Sequence, residues 1–236
     1  MAIAKTHNCE NCASKDKGIF CELSSLVLQD ISQNKVMNTY KKGQIIFYQD
    51  NPPLGLYCLS SGKIKVTKTG SDGKESIVRL AKAGDILGHR SLFSQSHYTA
   101  TATTLEETTI CFIDKKYILR AIEQNPSIAL NIIQKLSKEM GAAETKSASM
   151  FQKNVRERLA ELLLGLADSY GIHENNKIRL DIKLTREEMA SMIGTASETI
   201  IRFMSEFKEE GLISQEGKTI YITNEPALIE LANINY

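Results

Sequence analysis

Leu184-Thr185-Arg186-Glu187-Glu188-Met189-Ala190-Ser191-Met192-Ile193 is followed by Gly194-Thr195-Ala196 and then by Ser197-Glu198-Thr199-Ile200-Ile201-Arg202-Phe203-Met204. Thr185 with Glu188 three residues on is a capping box, which satisfies two orphan backbone donors and starts a helix. That helix is expected to run to Ile193, where Gly194 opens a turn. Ser197 is expected to cap a second helix reaching about Glu210, with Gly211 as its stop. Leu212-Ile213 and Thr219-Ile220-Tyr221-Ile222 then read as a hairpin closed at Gln215-Glu216-Gly217-Lys218. Helix, three-residue turn, helix and hairpin form the pattern of a winged helix-turn-helix.

Such a module reads DNA by laying the N-terminal residues of its second helix against base edges in the major groove. Glu198 and Arg202 are four residues apart and share a helix face. Arginine can bond guanine O6 and N7 together, and glutamate can accept from cytosine N4. The pair is therefore expected to read neighbouring base pairs while each side chain steadies the other. Ile200, Phe203, Met204 and Phe207 fall on the opposite side and are expected in the core. The same spacing also describes an ordinary surface ion pair; the helix-turn-helix and wing around it favour the DNA reading. Between Lys183 and Lys218 five basic residues stand against seven acidic ones, so non-specific affinity and its salt dependence should be modest.

Working outward, Val155 to Tyr170 reads as a helix with Leu159, Leu162, Leu163 and Leu166 on one face, ended by Gly171, and Lys177 to Ile182 as a short strand. Between Lys115 and Phe151 the pattern is helical. Ile133, Leu136, Met140, Ala143, Ser147 and Met150 follow a 3-4-3-4-3 spacing, the seam of a two-stranded helix pair. Parallel pairing across a two-fold axis covers such a seam, which predicts a homodimer; packing of the stripe on the chain's own β-domain is the competing use. From Val36 to Phe112 short runs rich in Ile, Val, Tyr, Thr and Phe alternate with glycine turns such as Asp72-Gly73. This zone is expected to be all-β, a small antiparallel barrel or roll. The expected fold class is α+β: an N-terminal antiparallel β-roll, a long dimerisation helix and a C-terminal winged helix-turn-helix. The expected domains are 1–22, 23–122, 123–153 and 154–236.

With 42% hydrophobic and 24% charged residues, the composition excludes wholesale disorder, a collagen-like repeat and a coiled-coil rod. No apolar run approaches the roughly 18 residues of a spanning helix, and the first residues lack the apolar core of a signal peptide. A cytoplasmic protein with no membrane partner is the expectation. The net charge of +1 advertises no global field for nucleic acid, so DNA contacts must be local. Three of five cysteines, Cys9, Cys12 and Cys21, crowd into the first 21 residues. A disulfide framework is unexpected in a reducing compartment. Cys58 and Cys111 lie in strand-like surroundings, and Cys58 is assigned to the core. His7, His89, His97 and His173 show no ligand spacing.

From about residue 9 to 230 the chain resembles the CRP/FNR family of bacterial transcription regulators, most specifically in Leu184 to Ala190, Gly194, Glu198-Thr199, Arg202 and Gly217-Lys218-Thr219-Ile220. The resemblance implies a β-roll of the cyclic-nucleotide-binding kind and a dimer on a palindromic double-stranded DNA operator. It makes Glu198 and Arg202 the base-reading pair, with phosphate contacts at Thr185, Arg186, Thr199 and Lys218. Ser197 precedes the readers, and Ile201, the position between them, is placed to touch a thymine methyl. Loop Thr69 to Gly73 would be the contact to RNA polymerase. Cyclic-AMP receptors carry Gly-Glu-Leu followed by an arginine that neutralises the phosphate. Here Gly88-His89-Arg90 puts His89 in place of the glutamate, and Tyr98 stands at the arginine position, so cAMP is not the expected effector. The oxygen-sensing branch uses three N-terminal cysteines and one in the roll's last strand, which implies Cys9, Cys12, Cys21 and Cys111 as ligands of a [4Fe–4S] cluster sensing oxygen, nitric oxide or redox state. That branch places a carboxylate on the dimer seam where this chain has Ala143, which implies a permanent dimer.

The same thiols also suit structural zinc or a disulfide switch, and Cys111 also fits as a small buried apolar residue. A ligand-responsive regulator with incidental cysteines is a further reading. A cupin-like metalloenzyme is disfavoured, because the strands offer no matching histidine set and no nucleophile–base pair occurs. No enzyme is expected.

Overall fold

The computed structural model describes Cys9, Cys12, residues 18–20 and residues 23–233. Two compact units divide within one helix, Met1–Gly141 and Ala142–Tyr236.

The first unit begins with α1 (Ser25–Gln33), then β1 (Lys35–Tyr40), β2 (Ile45–Phe47), β3 (Gly55–Ser61), β4 (Lys63–Thr69), β5 (Glu75–Lys82) and β6 (Ile86–Leu87). After these come α2 (His89–Ser94), β7 (Thr101–Thr104), β8 (Thr108–Asp114), α3 (Lys115–Gln124) and α4 (Pro126–Gln152). All pairings are antiparallel and make two four-stranded sheets, β1-β8-β3-β6 and β2-β7-β4-β5. Because side chains alternate across a strand, the first sheet serves two cores. One face contributes Leu59, Leu87 and Ile110 to a cluster with Phe47, Ile64, Val66, Ala81 and Ala102 of the second sheet. The other face sends Leu56, Ile86 and Ile113 against Ile31 of α1, Ile118 of α3 and Ile128 and Ile132 of α4.

Two details differ from the sequence reading. The roll is not all-β: Gly88, at φ +81, turns the chain out of β6 into α2. The helical stretch after Lys115 is two helices, because a proline at 126 disfavours helical backbone at Asn125 (φ −137, ψ 82), and Pro126 starts α4 anew.

The second unit holds the end of α4, then α5 (Val155–Tyr170), β9 (Gly171–Glu174), β10 (Lys177–Leu180), α6 (Arg186–Ile193), α7 (Ser197–Glu209), β11 (Ile213–Glu216), β12 (Thr219–Ile222) and α8 (Glu225–Leu231). Its sheet has the order β11-β12-β10-β9. The β9–β10 hairpin, absent from the sequence reading, turns on Asn175 (φ 44) and Asn176 (φ 62), the two left-handed residues that a type I′ turn requires. Gly171 is not a left-handed cap: its φ is −76, and glycine is needed because a Cβ would lie 2.3 Å from the Ala167 carbonyl oxygen. Leu159, Leu163, Met189, Ile200, Met204, Phe207 and Leu228 form the buried centre. Leu162, expected among them, is only half-buried.

Within the first unit a charge cluster ties α4 to the roll. Glu139 takes Arg79 at 2.9 Å, Arg90 at 2.9 Å and His89 Nε2 at 3.0 Å, while Asp85 takes Lys135 at 2.7 Å. Burial alone would push the Glu139 carboxyl up; His89, Arg79 and Arg90 outweigh it and hold its pKa at about 2. Burial also keeps the His89 pKa low against the opposing pull of Glu139, so at neutral pH a neutral imidazole donates from Nε2. A carboxyl depressed on folding stabilises above its unfolded pKa, and that contribution fades as pH falls from about 4.5 towards 2. Glu139→Gln should cost roughly 1–3 kcal/mol at neutral pH, and the difference from the parent chain should shrink through this acid window. Denaturant melts at pH 7 and pH 3 check both statements.

Candidate nucleic-acid interface and thiol site

The helix pair of the second unit is built as its local sequence dictates. Thr185 Oγ1 accepts from Glu188 N at 3.1 Å, and Glu188 Oε2 accepts from Thr185 N at 2.9 Å. Gly194 closes α6 at φ 65. Ser197 is not the cap of α7. Ala196 holds that position without a side-chain bond, and Ser197 is the first helical residue. Burying Ile200, Met204 and Phe207 turns Glu198, Ile201 and Arg202 to the exposed side, with Thr199 and Phe203 half-buried between.

Arg202 stacks 4.8 Å from the Phe203 ring, and its ion pair is with Glu206 at 3.8 Å rather than with Glu198. The guanidinium is thus steadied from the C-terminal side, away from the first turn of α7. Lys218 is exposed at the wing tip beside Gly217 (φ 58), and Thr185 is exposed at the start of α6. Arg186 is instead half-buried. It donates to Gln215 Oε1 at 2.7 Å and so joins α6 to β11 of the wing.

On α4, Ile133, Met140, Ala143 and Ser147 are exposed. Leu130, which the seam spacing omitted, joins them at 60% exposure. Leu136 leans on the core with Ile132, because the i, i+4 row from Ile128 through Ile132 faces the sheet. Met150 is 38% exposed and reaches towards Gly194.

The second site lies on the outer face of the β1-β8-β3-β6 sheet. Cys9, Cys12, Cys58 and Cys111 all line one cavity there, with Lys35, Ser60, Ile19, Phe20 and Ile86 among its walls. Cys9 is held by Lys35 Nζ, which donates to its Sγ at 3.2 Å, and by its own N–H, which donates to Ser32 Oγ at 2.8 Å. Cys12 N–H donates to the Cys9 carbonyl at 3.3 Å, and its Sγ lies 3.9 Å from Ser60 Oγ. Asn131 of α4 donates to the Ile19 carbonyl at 2.9 Å, pinning residues 18–20 against that helix. Burial opposes the charge of Lys35, yet Cys111, Cys9 and Cys12 outweigh it and raise its pKa. Burial pushes the Cys58 and Cys111 thiols up.

Cys21 lies outside the described residues, as does His7. Among the described residues, no group of three or more His, Cys, Asp or Glu side chains is set closely enough to hold a metal ion as it stands. The donor chemistry nonetheless fits a thiolate-ligated iron–sulfur group, with soft sulfur donors, apolar walls and an ammonium to offset negative charge.

The strand-like surroundings of Cys58 place it in the core. It does pack against the core cluster, but it also faces the thiols, and only the strand register reveals this. Inside the roll, Tyr98 is 3% exposed and stacks on Phe47 at 4.1 Å, with Tyr57 5.4 Å from the same ring. His89 and Arg90 both turn to Glu139.

A β-roll joined through a long helix to a winged helix-turn-helix defines a DNA-binding regulator. Residues 37–125 match the cyclic nucleotide-binding domain family, and residues 157–231 match the Crp-like helix-turn-helix domain family. The chain is 26% identical over 215 residues to the CRP-like cAMP-activated global transcriptional regulator of Mycobacterium tuberculosis, covering 91% of this chain and 96% of that protein. It is 27% identical over 231 residues to the transcriptional activator protein FnrL of Cereibacter sphaeroides, covering 96% and 92%. Among solved structures, a CooA variant from Carboxydothermus hydrogenoformans is similar at 25% identity and a TM-score of 0.72, covering 90% of this chain and 92% of that one. The chain belongs to the CRP/FNR family of DNA-binding transcription regulators. This family consists of regulators and not enzymes, and no described helix is long and apolar enough to cross a membrane.

Proposed function

We propose that the chain is a homodimeric regulator that reads a palindromic operator through Glu198 and Arg202 and senses oxygen, nitric oxide or redox state through a [4Fe–4S] cluster on Cys9, Cys12, Cys21 and Cys111. The observation that carries the sensing half is the meeting of Cys9 and Cys12 with Cys111, about a hundred residues away in sequence, at one cavity. When bound, the cluster supplies oxidant-labile iron–sulfur bonds.

The chain's own residues do the rest. Lys35 offsets thiolate charge, and Asn131 ties the N-terminal segment to α4. A change in that segment is thereby felt by the helix whose exposed face, Leu130, Ile133 and Met140, is offered to a second copy. Each α7 would enter one major groove, with half-sites about one helical turn (~34 Å) apart. Thr185 and Lys218 bracket α7 as phosphate contacts. Arg186 supports this arrangement by fixing the wing to α6.

Stacked aromatic rings occupy the roll where a cyclic phosphate would need a cation, and an unpaired buried phosphate is strongly disfavoured. The roll is therefore not a cAMP site. A millimolar excess of cAMP should leave the melting temperature unchanged, because a ligand stabilises only what it binds.

Anaerobic purification should give a brown chain with about four irons, each held by one thiolate, and Cys111→Ala should lose most of the iron and sulfide. A colourless parent chain with zinc or no metal would sink the cluster reading. Arg202→Ala should lose roughly 1–3 kcal/mol of discrimination at one guanine. Lys218→Ala should weaken all sequences about equally. Binding selection on random DNA separates the two, and an unchanged base preference for Arg202→Ala would remove its reading role.

A further inference from the structure

Cys58 stands directly opposite Cys111 in the antiparallel β3–β8 ladder. Leu59 N donates to the Asp85 carbonyl, and Gly84 N donates to the Leu59 carbonyl, each at 2.9 Å, so Leu59 turns its backbone groups towards β6. Cys58, one residue earlier, turns its own towards β8. The Cys58–Cys111 pair therefore exchanges ladder hydrogen bonds, which sets the two Cα atoms about 5.5 Å apart. Disulfide-linked residues have Cα atoms about 4.4–6.8 Å apart, most often near this value. Both side chains leave the sheet on the same face, with Cβ atoms about 4.5–5.5 Å apart. That face lines the cavity, and both thiols are free.

We propose that Cys58 and Cys111 are a redox pair that closes into a cross-strand disulfide when a low-molecular-weight disulfide reaches the cavity. One thiol of the pair loses its proton and attacks one sulfur of the oxidant, whose other sulfur leaves as a thiolate. Its partner, also deprotonated, then attacks the cysteine sulfur of that mixed disulfide and expels the second half of the oxidant. The two cysteines give up two electrons and two protons, and the oxidant takes them to become two thiols. Closing the bond draws the two Cβ atoms in by roughly 1 Å, to the ~3.5–4.5 Å that a disulfide spans, so the paired strands shift together by about that amount. A closed pair removes Cys111 from the proposed ligand set, so an oxidised chain cannot take up iron until it is reduced. That consequence rests on the cluster reading; the bond does not.

The test uses the full chain, stripped of metal with a chelator and incubated with oxidised glutathione. Free thiols are then blocked with iodoacetamide in denaturant and the chain is digested without reduction. Trypsin places Cys58 in peptide 43–63 and Cys111 in peptide 91–115, apart from the other three cysteines. The expected product is these two peptides joined, two hydrogens lighter than their sum, absent after dithiothreitol and absent in Cys58→Ser and Cys111→Ser. Alkylation of both peptides, or a link from Cys111 to Cys9, Cys12 or Cys21, overturns the pair; because the parent chain alone gives this result, misfolding of a variant does not blur it. Iron and sulfide uptake by the linked chain should stay at background until dithiothreitol is added, and uptake without reductant overturns the block. A parent chain that never binds iron defeats the cluster reading, while the peptide map still decides the disulfide.

Discussion

Side chains on a strand alternate between two faces, and in the β3–β8 ladder that alternation divides the first unit in two. Leu59 and Ile110 face the second sheet and close the roll. Leu56 and Ile113 face outward, where α1, α3 and α4 cover them. A slip of one residue would exchange the two faces, sending Cys58 and Cys111 into the roll and Leu59 and Ile110 onto the thiols. The register is therefore set twice over, by burial on each side. The thiol site depends on it, since Cys111 meets Cys9 and Cys12 only because its strand presents that face to the N-terminal segment.

Charge sets how the helix is held. Glu139 alone on α4 would be costly to bury. Surrounded by Arg79, His89 and Arg90, it becomes a fixed link from the helix to β5 and α2. His89 and Arg90 both bond the Glu139 carboxylate, while Tyr98 stacks on Phe47 inside the roll.

The DNA-binding unit is locally determined. Its capping box, the left-handed glycines at 194 and 217 and the apolar row Ile200, Met204 and Phe207 each follow from nearby residues, and together they turn Glu198, Ile201 and Arg202 outward. Arg186 shows what local sequence leaves out: folding brings the wing's Gln215 within 2.7 Å of its guanidinium and so joins α6 to β11.

The sequence by itself determined most element types, the helix-turn-helix with its wing, the strand-and-turn texture of the roll and the exposed face of α7, because each rests on interactions within a few residues. Short turns such as Asn175-Asn176 and the helix break at Asn125-Pro126 were written in the sequence as well, though in signals weaker than the periodicity around them. Tertiary structure alone decided which cysteines share a cavity and that Leu136 faces the core while Leu130 stays exposed. Those outcomes depend on strand register and on which helix face meets the sheet, and neither is encoded in the spacing of residues along one element.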